Sequence, residues 1–244
     1  MPRSNSAVIS SPPPERDTSR PAAATDPERQ ALTRQRILEA ALELLDAEGL
    51  EALSMRRLGA VLGVEAMSLY HHFSSKGALL DGIVALLLRQ VPLPEIDSAP
   101  WDLAILQGFV DFRRVMLAHP SAVPLVCERP ALDPESLVPM ALAFAALSAA
   151  GFSPDDVYSA WCTLLSYVLG YIESEVSGVG KAARGAEMLE LIQRLEGPAY
   201  EALRAAWSES GLRTWSDDRE YVRGLEVILA GLRLRLAESA RPGT

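Results

Sequence analysis

Between Arg56 and Lys76 the chain gathers Arg56, Ser68, Tyr70, His71, His72 and Lys76, with the small Ala66 and the flexible Met67 among them. The set does not suit catalysis or metal binding. His71 and His72 are neighbours, so they point to different sides of a helix and lack the i, i+4 spacing of a metal pair. His119 stands apart, before Pro120. The sequence has no Gly-rich phosphate loop, nucleophile elbow or HExxH motif, so no enzyme is expected. The set does suit nucleic acid. Ser68 can donate or accept at a base edge, and Ala66 or Met67 can lie against a thymine methyl. Tyr70 and Lys76 are placed to reach phosphate oxygens, the contacts that set register. Arg56 can serve a base or a phosphate.

The flanking residues dictate how this face is presented. Ser54 can cap a short helix whose core-facing residues are Met55, Leu58 and Leu62. Gly59 shares that face, where another backbone must come close. Gly63 interrupts the pattern and permits the positive φ of a tight turn. Val64 and Leu69 resume the apolar spacing on a second helix, from Glu65 to about His72. Helix, glycine turn and helix make a helix-turn-helix, whose second helix enters the major groove. An ordinary helical hairpin has the same glycine spacing. The Tyr-His-His-Phe run, followed by Lys76 and Ala78-Leu79-Leu80, favours the DNA reader. Phe73 closes the small domain. A first helix runs from Pro27 or Thr33 to Glu48, with Ile37, Ala41, Leu44 and Leu45 as one stripe, and Gly49 ends it. A fourth, Lys76 to about Gln90, leads out of the domain.

Residues 32–80, LTRQRILEAALELLDAEGLEALSMRRLGAVLGVEAMSLYHHFSSKGALL, resemble the DNA-binding domain of the tetracycline-repressor (TetR) family of bacterial transcriptional regulators. A weaker likeness to the ligand domain of the same type runs through 101–120, 149–175 and 219–236. The resemblance implies a homodimeric repressor of a double-stranded DNA operator, released by a small-molecule effector. It assigns Tyr70 and Lys76 to phosphates and Arg56, Ala66, Met67, Ser68 and His71 to bases or packing against them. His72 adds a backbone contact. The family position held by Met67 is a proline in the tetracycline repressor, so the operator sequence does not carry over. Leu125 stands where that repressor has a metal-ligating His, in Leu125-Val126-Cys127-Glu128-Arg129-Pro130. An aromatic or hydrophobic effector is expected rather than a tetracycline–magnesium complex, with no cofactor and no metal.

The bulk numbers agree. The chain has 244 residues, 49% of them hydrophobic, and a formal net charge of −9. Alanine and leucine dominate, favouring an all-α fold. The negative charge argues against a generally sticky nucleic-acid binder. Residues 28–80 hold six Arg/Lys against seven Asp/Glu, and 81–244 hold 14 against 22. A few local phosphate contacts with a modest salt slope are therefore expected. No run reaches the roughly 18 apolar residues of a membrane span. The polar N-terminus lacks a signal-peptide core. A cytoplasmic protein without membrane contact follows. Cys127 and Cys162 have apolar neighbours and read as buried free thiols.

Residues 1–27, rich in Pro, Ser, Ala and Arg, read as a disordered tail. A DNA-touching arm is the alternative for Arg3, Arg16 and Arg20, weakened by Glu15, Asp17 and Asp26. Residues 28–90 then form a helix-turn-helix domain of three helices plus a connecting helix. VPLPEIDSAP (91–100) marks the junction, and 91–244 form a helical ligand-binding and dimerisation domain. Within it, Asp133-Pro134 and Ser153-Pro154 read as helix starts, and Asp217 to Glu220 as an Asp-type capping box. Helices 154–175 and 218–238 are apolar on more than one stripe, which implies burial on more than one side, within one intramolecular core or also against a partner subunit in a four-helix interface, and the resemblance favours the dimer. Trp101, Phe109, Phe112, Met116, Phe144, Trp161, Leu165, Val168 and Tyr171 are candidates to line a ligand cavity. Each is also ordinary core material. Tyr171, His119 and Glu173 are its possible polar handles. A helical small-molecule carrier or enzyme without specific DNA binding is the alternative function.

Overall fold

The computed structural model describes residues 31–94, 99–129, 133–178, 185–207 and 216–239. The chain divides at Thr33, and all that follows concerns the unit beginning there. The proposed tail, its arginines and a helix start at Pro27 lie outside the described residues. Those residues form helices and turns with no strand, so the fold is all-α as the composition implies.

Helix α1 spans Arg34–Glu48, α2 Met55–Leu62, α3 Ala66–Tyr70 and α4 Lys76–Arg89. The Thr33 hydroxyl caps α1 by accepting from the Arg36 amide at 3.2 Å. Ile37, Ala41 and Leu45 are fully buried on one stripe of α1, which packs on α4, where Leu79, Ile83 and Leu87 are fully buried. Phe73 is buried where the chain turns into α4.

Helix α5 spans Trp101–Ala118, and a short 3-10 turn, Pro120–Ala122, leads into α6, Val123–Glu128. Helix α7 spans Val138–Ala150 and α8 Pro154–Ser177. Then come α9, Ala186–Arg194, a 3-10 turn at Pro198–Tyr200, α10, Glu201–Ala206, and α11, Asp217–Ser239. Helices α5, α7, α8 and α11 pack together, and α4 reaches both α5 and α6.

Arg113 on α5 binds this bundle. Its guanidinium donates to both Glu175 carboxylate oxygens, at 2.7 and 2.9 Å, and to Asp218 at 2.8 Å. It also lies 5.0 Å from the centre of the Tyr221 ring. Burial works against its charge, yet the two carboxylates hold its pKa above the usual arginine value. Tyr221 is buried beside it and donates its hydroxyl to the Phe109 carbonyl oxygen at 2.8 Å.

Three local expectations need correction. Asp133 does not start an α-helix directly. Its carboxylate accepts from the Glu135 and Ser136 amides and caps a turn, and α7 begins only at Val138. The cap of α11 is Ser216, whose hydroxyl accepts from the Arg219 amide at 3.5 Å, with Asp217 already in the first turn. The cysteines are free but not buried: Cys127 is exposed and Cys162 half-buried. On α6, Val123 and Leu125 take the inward positions, which turns Cys127 outward.

Candidate nucleic-acid interface and ligand cavity

The candidate reader is built from two short helices, α2 with a side-chain cap and α3 without one. The Ser54 hydroxyl accepts from the Arg57 amide at 3.2 Å and starts α2. Gly63 ends it at φ 67° and ψ 31°, the left-handed conformation that favours glycine. The Val64 amide then donates to the Gly59 carbonyl at 2.9 Å. A Cβ on Gly59 would stand 2.8 Å from the Val64 carbonyl oxygen and 3.3 Å from the Ala66 nitrogen, so only glycine admits the second helix this close. Leu69 is fully buried and anchors α3 from beneath.

Helix α3 is shorter than the spacing predicts. Glu65 is extended at its cap, and the His72 and Phe73 amides fold back onto the Leu69 carbonyl, so the helix ends at Tyr70. His71 and His72 occupy the turn that follows. Met67 is 64% exposed. Tyr70 and His71 are exposed, and Ala66, Ser68 and His72 are half-buried on the same short segment. Arg34 fixes the exit from α3: it donates to the His72 carbonyl, and its guanidinium lies 4.1 Å from the centre of the Phe73 ring.

The basic groups sort by partner. Arg57 is engaged by Glu48, its Nε donating to Oε2 at 3.1 Å. That hydrogen bond holds Glu48 below the usual carboxylate value and Arg57 above the usual arginine value. Arg56 is exposed with no ion pair among the described residues. Lys76 is exposed at the first position of α4, where the Ser75 hydroxyl accepts from the Ala78 amide at 3.1 Å. A lysine at a helix N-terminus adds its charge to that of the free amides, which favours an anion there.

A cavity of about 590 Å³ opens among α4, the 91–94 linker, α5, α6, α7 and α8. Four of the aromatic and apolar residues singled out in the sequence meet there: Phe109, Phe112, Trp161 and Leu165. The Phe109 and Trp161 rings lie 5.8 Å apart. The other five lie elsewhere. Phe144 packs edge-on against Trp161 at 5.8 Å, and Trp101 edge-on against Phe152 at 5.3 Å. Met116 and Val168 are closed in the core. Tyr171 faces α11, where its hydroxyl donates to the Asp217 carbonyl at 3.1 Å, and burial pushes its pKa up to about 12. Of the polar handles, His119 contacts Asp46 on α1 through Nδ1 at 2.7 Å, and Glu173 is exposed.

Sequence reasoning missed the wall supplied by Val84 and Leu88 of α4, Val91 of the linker, and Met140 of α7. It also missed Cys127 and Arg129, at the end of α6. Arg129 donates to the Asp81 carboxylate and, at 3.3 Å, to the Gly77 carbonyl, both on α4. Cavity and reader thus share α4 physically. Among the described residues no group of three or more His, Cys, Asp or Glu is placed to hold a metal, and no helix is long and apolar enough to cross a membrane.

Residues 37–83 match the family description "Bacterial regulatory proteins, tetR family", and residues 93–236 match "Tetracyclin repressor-like, C-terminal domain". The chain belongs to the TetR family of bacterial transcriptional regulators. Its relatives include an HTH-type transcriptional regulator of Saccharopolyspora erythraea, 38% identical over 61% of this chain and 65% of that one, just under two thirds of its length. The class A tetracycline repressor from transposon 1721 of Escherichia coli is 30% identical over 82% of this chain and 89% of its own. Among solved structures, ActR of Streptomyces coelicolor in complex with actinorhodin superposes with a TM-score of 0.76 at 29% identity, over 86% of this chain and 99% of that chain. A TetR-family regulator binds operator DNA and a small-molecule effector, and dimers are typical of the family.

Proposed function

We propose that the chain represses transcription as a homodimer that docks two copies of α3 in a palindromic operator and leaves it when an aromatic or hydrophobic molecule fills the α4–α8 cavity. Residues 28–90 act as reader and 91–244 as sensor, in the cytoplasm where a bacterial operator lies. The observation that carries this reading is the sharing of α4. Lys76 begins it beside the reading segment, while Val84 and Leu88 line the cavity eight and twelve positions on.

In this reading Ala66, Met67, Ser68 and His71 face bases, with Arg56 at a base or phosphate. Tyr70, His72 and Lys76 hold the backbone. The dimer forms through α8 and α11. Tyr221, Leu225 and Leu229 take the inward stripe of α11, while Val227 and Leu234 on another face are 68% and 67% exposed. Two-fold pairing there would set the reading helices roughly 34–36 Å apart, one DNA turn.

Effector binding biases α4 by direct contact with Val84 and Leu88 and through Arg129. Release requires only that the effector prefer the arrangement with mis-spaced reading helices, by a few kcal/mol. ActR was solved with actinorhodin. An aromatic effector is consistent with that neighbour and with the Phe109, Phe112 and Trp161 walls. Leu125 is buried where the tetracycline repressor places its metal ligand, which argues against a magnesium-bound effector.

The test is selection of bound DNA from random duplexes, followed by release with a panel of aromatic compounds. A palindromic consensus that one class of compound releases is expected. No sequence preference, together with turnover of a substrate, would favour a helical enzyme or carrier instead.

A further inference from the structure

Charge is unevenly spread around the cavity wall. Its polar stretch is Cys127, Glu128 and Arg129, at the end of α6. The cation of the three is already engaged, by Asp81 and the Gly77 carbonyl. Arg89, next to the lining Leu88, is likewise held, by Asp133 at 3.7 Å and Glu135 at 3.4 Å. The anions are not balanced in this way. Glu128 lines the cavity and has no ion-pair partner among the described residues. Glu173, exposed on α8 outside the cavity lining, has none either among the described residues. Although Cys127 is an exposed residue, partial desolvation of its thiol first, then the charges of Glu173 and Glu128, push it up. Asp133 is balanced by Arg89, and only its buried oxygen Oδ2 meets no donor. The rest of the wall is predominantly apolar.

Resting on the cavity as the effector site, we infer that the effector is an amphipathic cation: an apolar aromatic body between Phe109, Phe112 and Trp161, and a protonated amine at the Glu128 end of α6. An anionic effector would meet an unpaired carboxylate there, Glu128, among the described residues. Among the described residues, the cations beside that end are Arg129, which it would have to take from Asp81, and Arg89, which it would have to take from two acids. Glu128 and Glu173 are both exposed, so screening limits the preference to about fivefold to tenfold at low salt, shrinking as salt rises.

Three probes of one fluorophore test this on the full chain: dansylcadaverine, which ends in an amine; its neutral N-acetyl derivative; and dansyl-6-aminohexanoate, which ends in a carboxylate. Fluorescence titration should give the tightest binding to the amine, about fivefold to tenfold over the neutral probe, and the weakest to the carboxylate. Glu128→Gln with Glu173→Gln should abolish the order while leaving the neutral probe within about twofold, and Ala143→Trp, which fills the cavity, should block all three. Equal binding of the three by the wild-type chain, tightest binding of the carboxylate, or an order that survives the double variant would overturn the charge assignment and leave the cavity as effector site. Failure of all three to bind, or binding that survives Ala143→Trp, would overturn the cavity reading and this inference together.

Discussion

Arg129, on the cavity wall, pairs with Asp81 on α4, two turns or less from the residue that begins that helix, Lys76. Both side chains are partly exposed, so the pair contributes under about 1 kcal/mol to stability. Its larger effect should fall on coupling. Asp81→Asn and Arg129→Met are expected to melt within a few degrees of the wild-type chain, yet to lose about fivefold or more of the operator release caused by an active effector. Anisotropy of a labelled operator, with and without effector, measures both quantities. Full release in both variants would show that α4 is driven by Val84 and Leu88 alone.

Lys76 and Tyr70 predict different signatures. Lys76→Ala in a dimer removes two phosphate charges and should lower the slope of log K against log salt by about 1.8. Tyr70→Phe removes a neutral contact, so it should weaken binding with little change in slope. The loss should be similar across operator variants for both, because phosphates carry no sequence.

Gly59 and Gly63 hold the two short helices in register for different reasons. Gly59→Ala puts a methyl against backbone with no room to yield and should cost about 1–3 kcal/mol. Gly63→Ala keeps the space but strains a left-handed residue, at about 1 kcal/mol. Denaturant unfolding followed by circular dichroism separates the two.

The hinge was legible in the sequence because each residue there has one physical task. Ser54 caps, Gly59 admits a backbone, Gly63 turns and Leu69 anchors. The end of α3 was less legible, since the amides that fold back to Leu69 carry no side-chain signal. The cavity was legible only in part. Periodicity tells that Phe109, Trp101, Met116 and Val168 face inward, but not whether an inward face meets another helix or a void. Trp101 meets Phe152, and Met116 and Val168 are closed, whereas Phe109 borders space. The contributions of α4 and of the proline-rich linker were missed because such segments read as packing and punctuation.

The tyrosines around Arg113 set the alkaline limit of the bundle. Burial, the first cause in each, raises Tyr171 to about 12 and Tyr221 further. A phenol whose folded pKa is raised contributes stability that is whole below the unfolded value of about 10 and is lost as pH rises through the folded value. Stability should therefore fall from about pH 10 upward. Tyrosinate absorbance should show these phenols ionising above the unfolded value of about 10, or together with unfolding. Ionisation of every tyrosine near 10 in the folded protein would contradict the packing.

In the proposed dimer, two copies of α3 paired through α8 and α11 read one duplex. Val227→Glu with Leu234→Glu puts charge on the exposed apolar face of α11 without touching the reader. Light scattering and operator binding on the same samples give the most direct measurement. The wild-type chain should be a dimer that binds a selected palindrome, and the double variant a folded monomer whose operator affinity falls by about a hundredfold or more, as loss of one of two linked readers requires. A wild-type monomer, or a monomeric variant that binds the palindrome as tightly as the wild-type chain, would contradict the account.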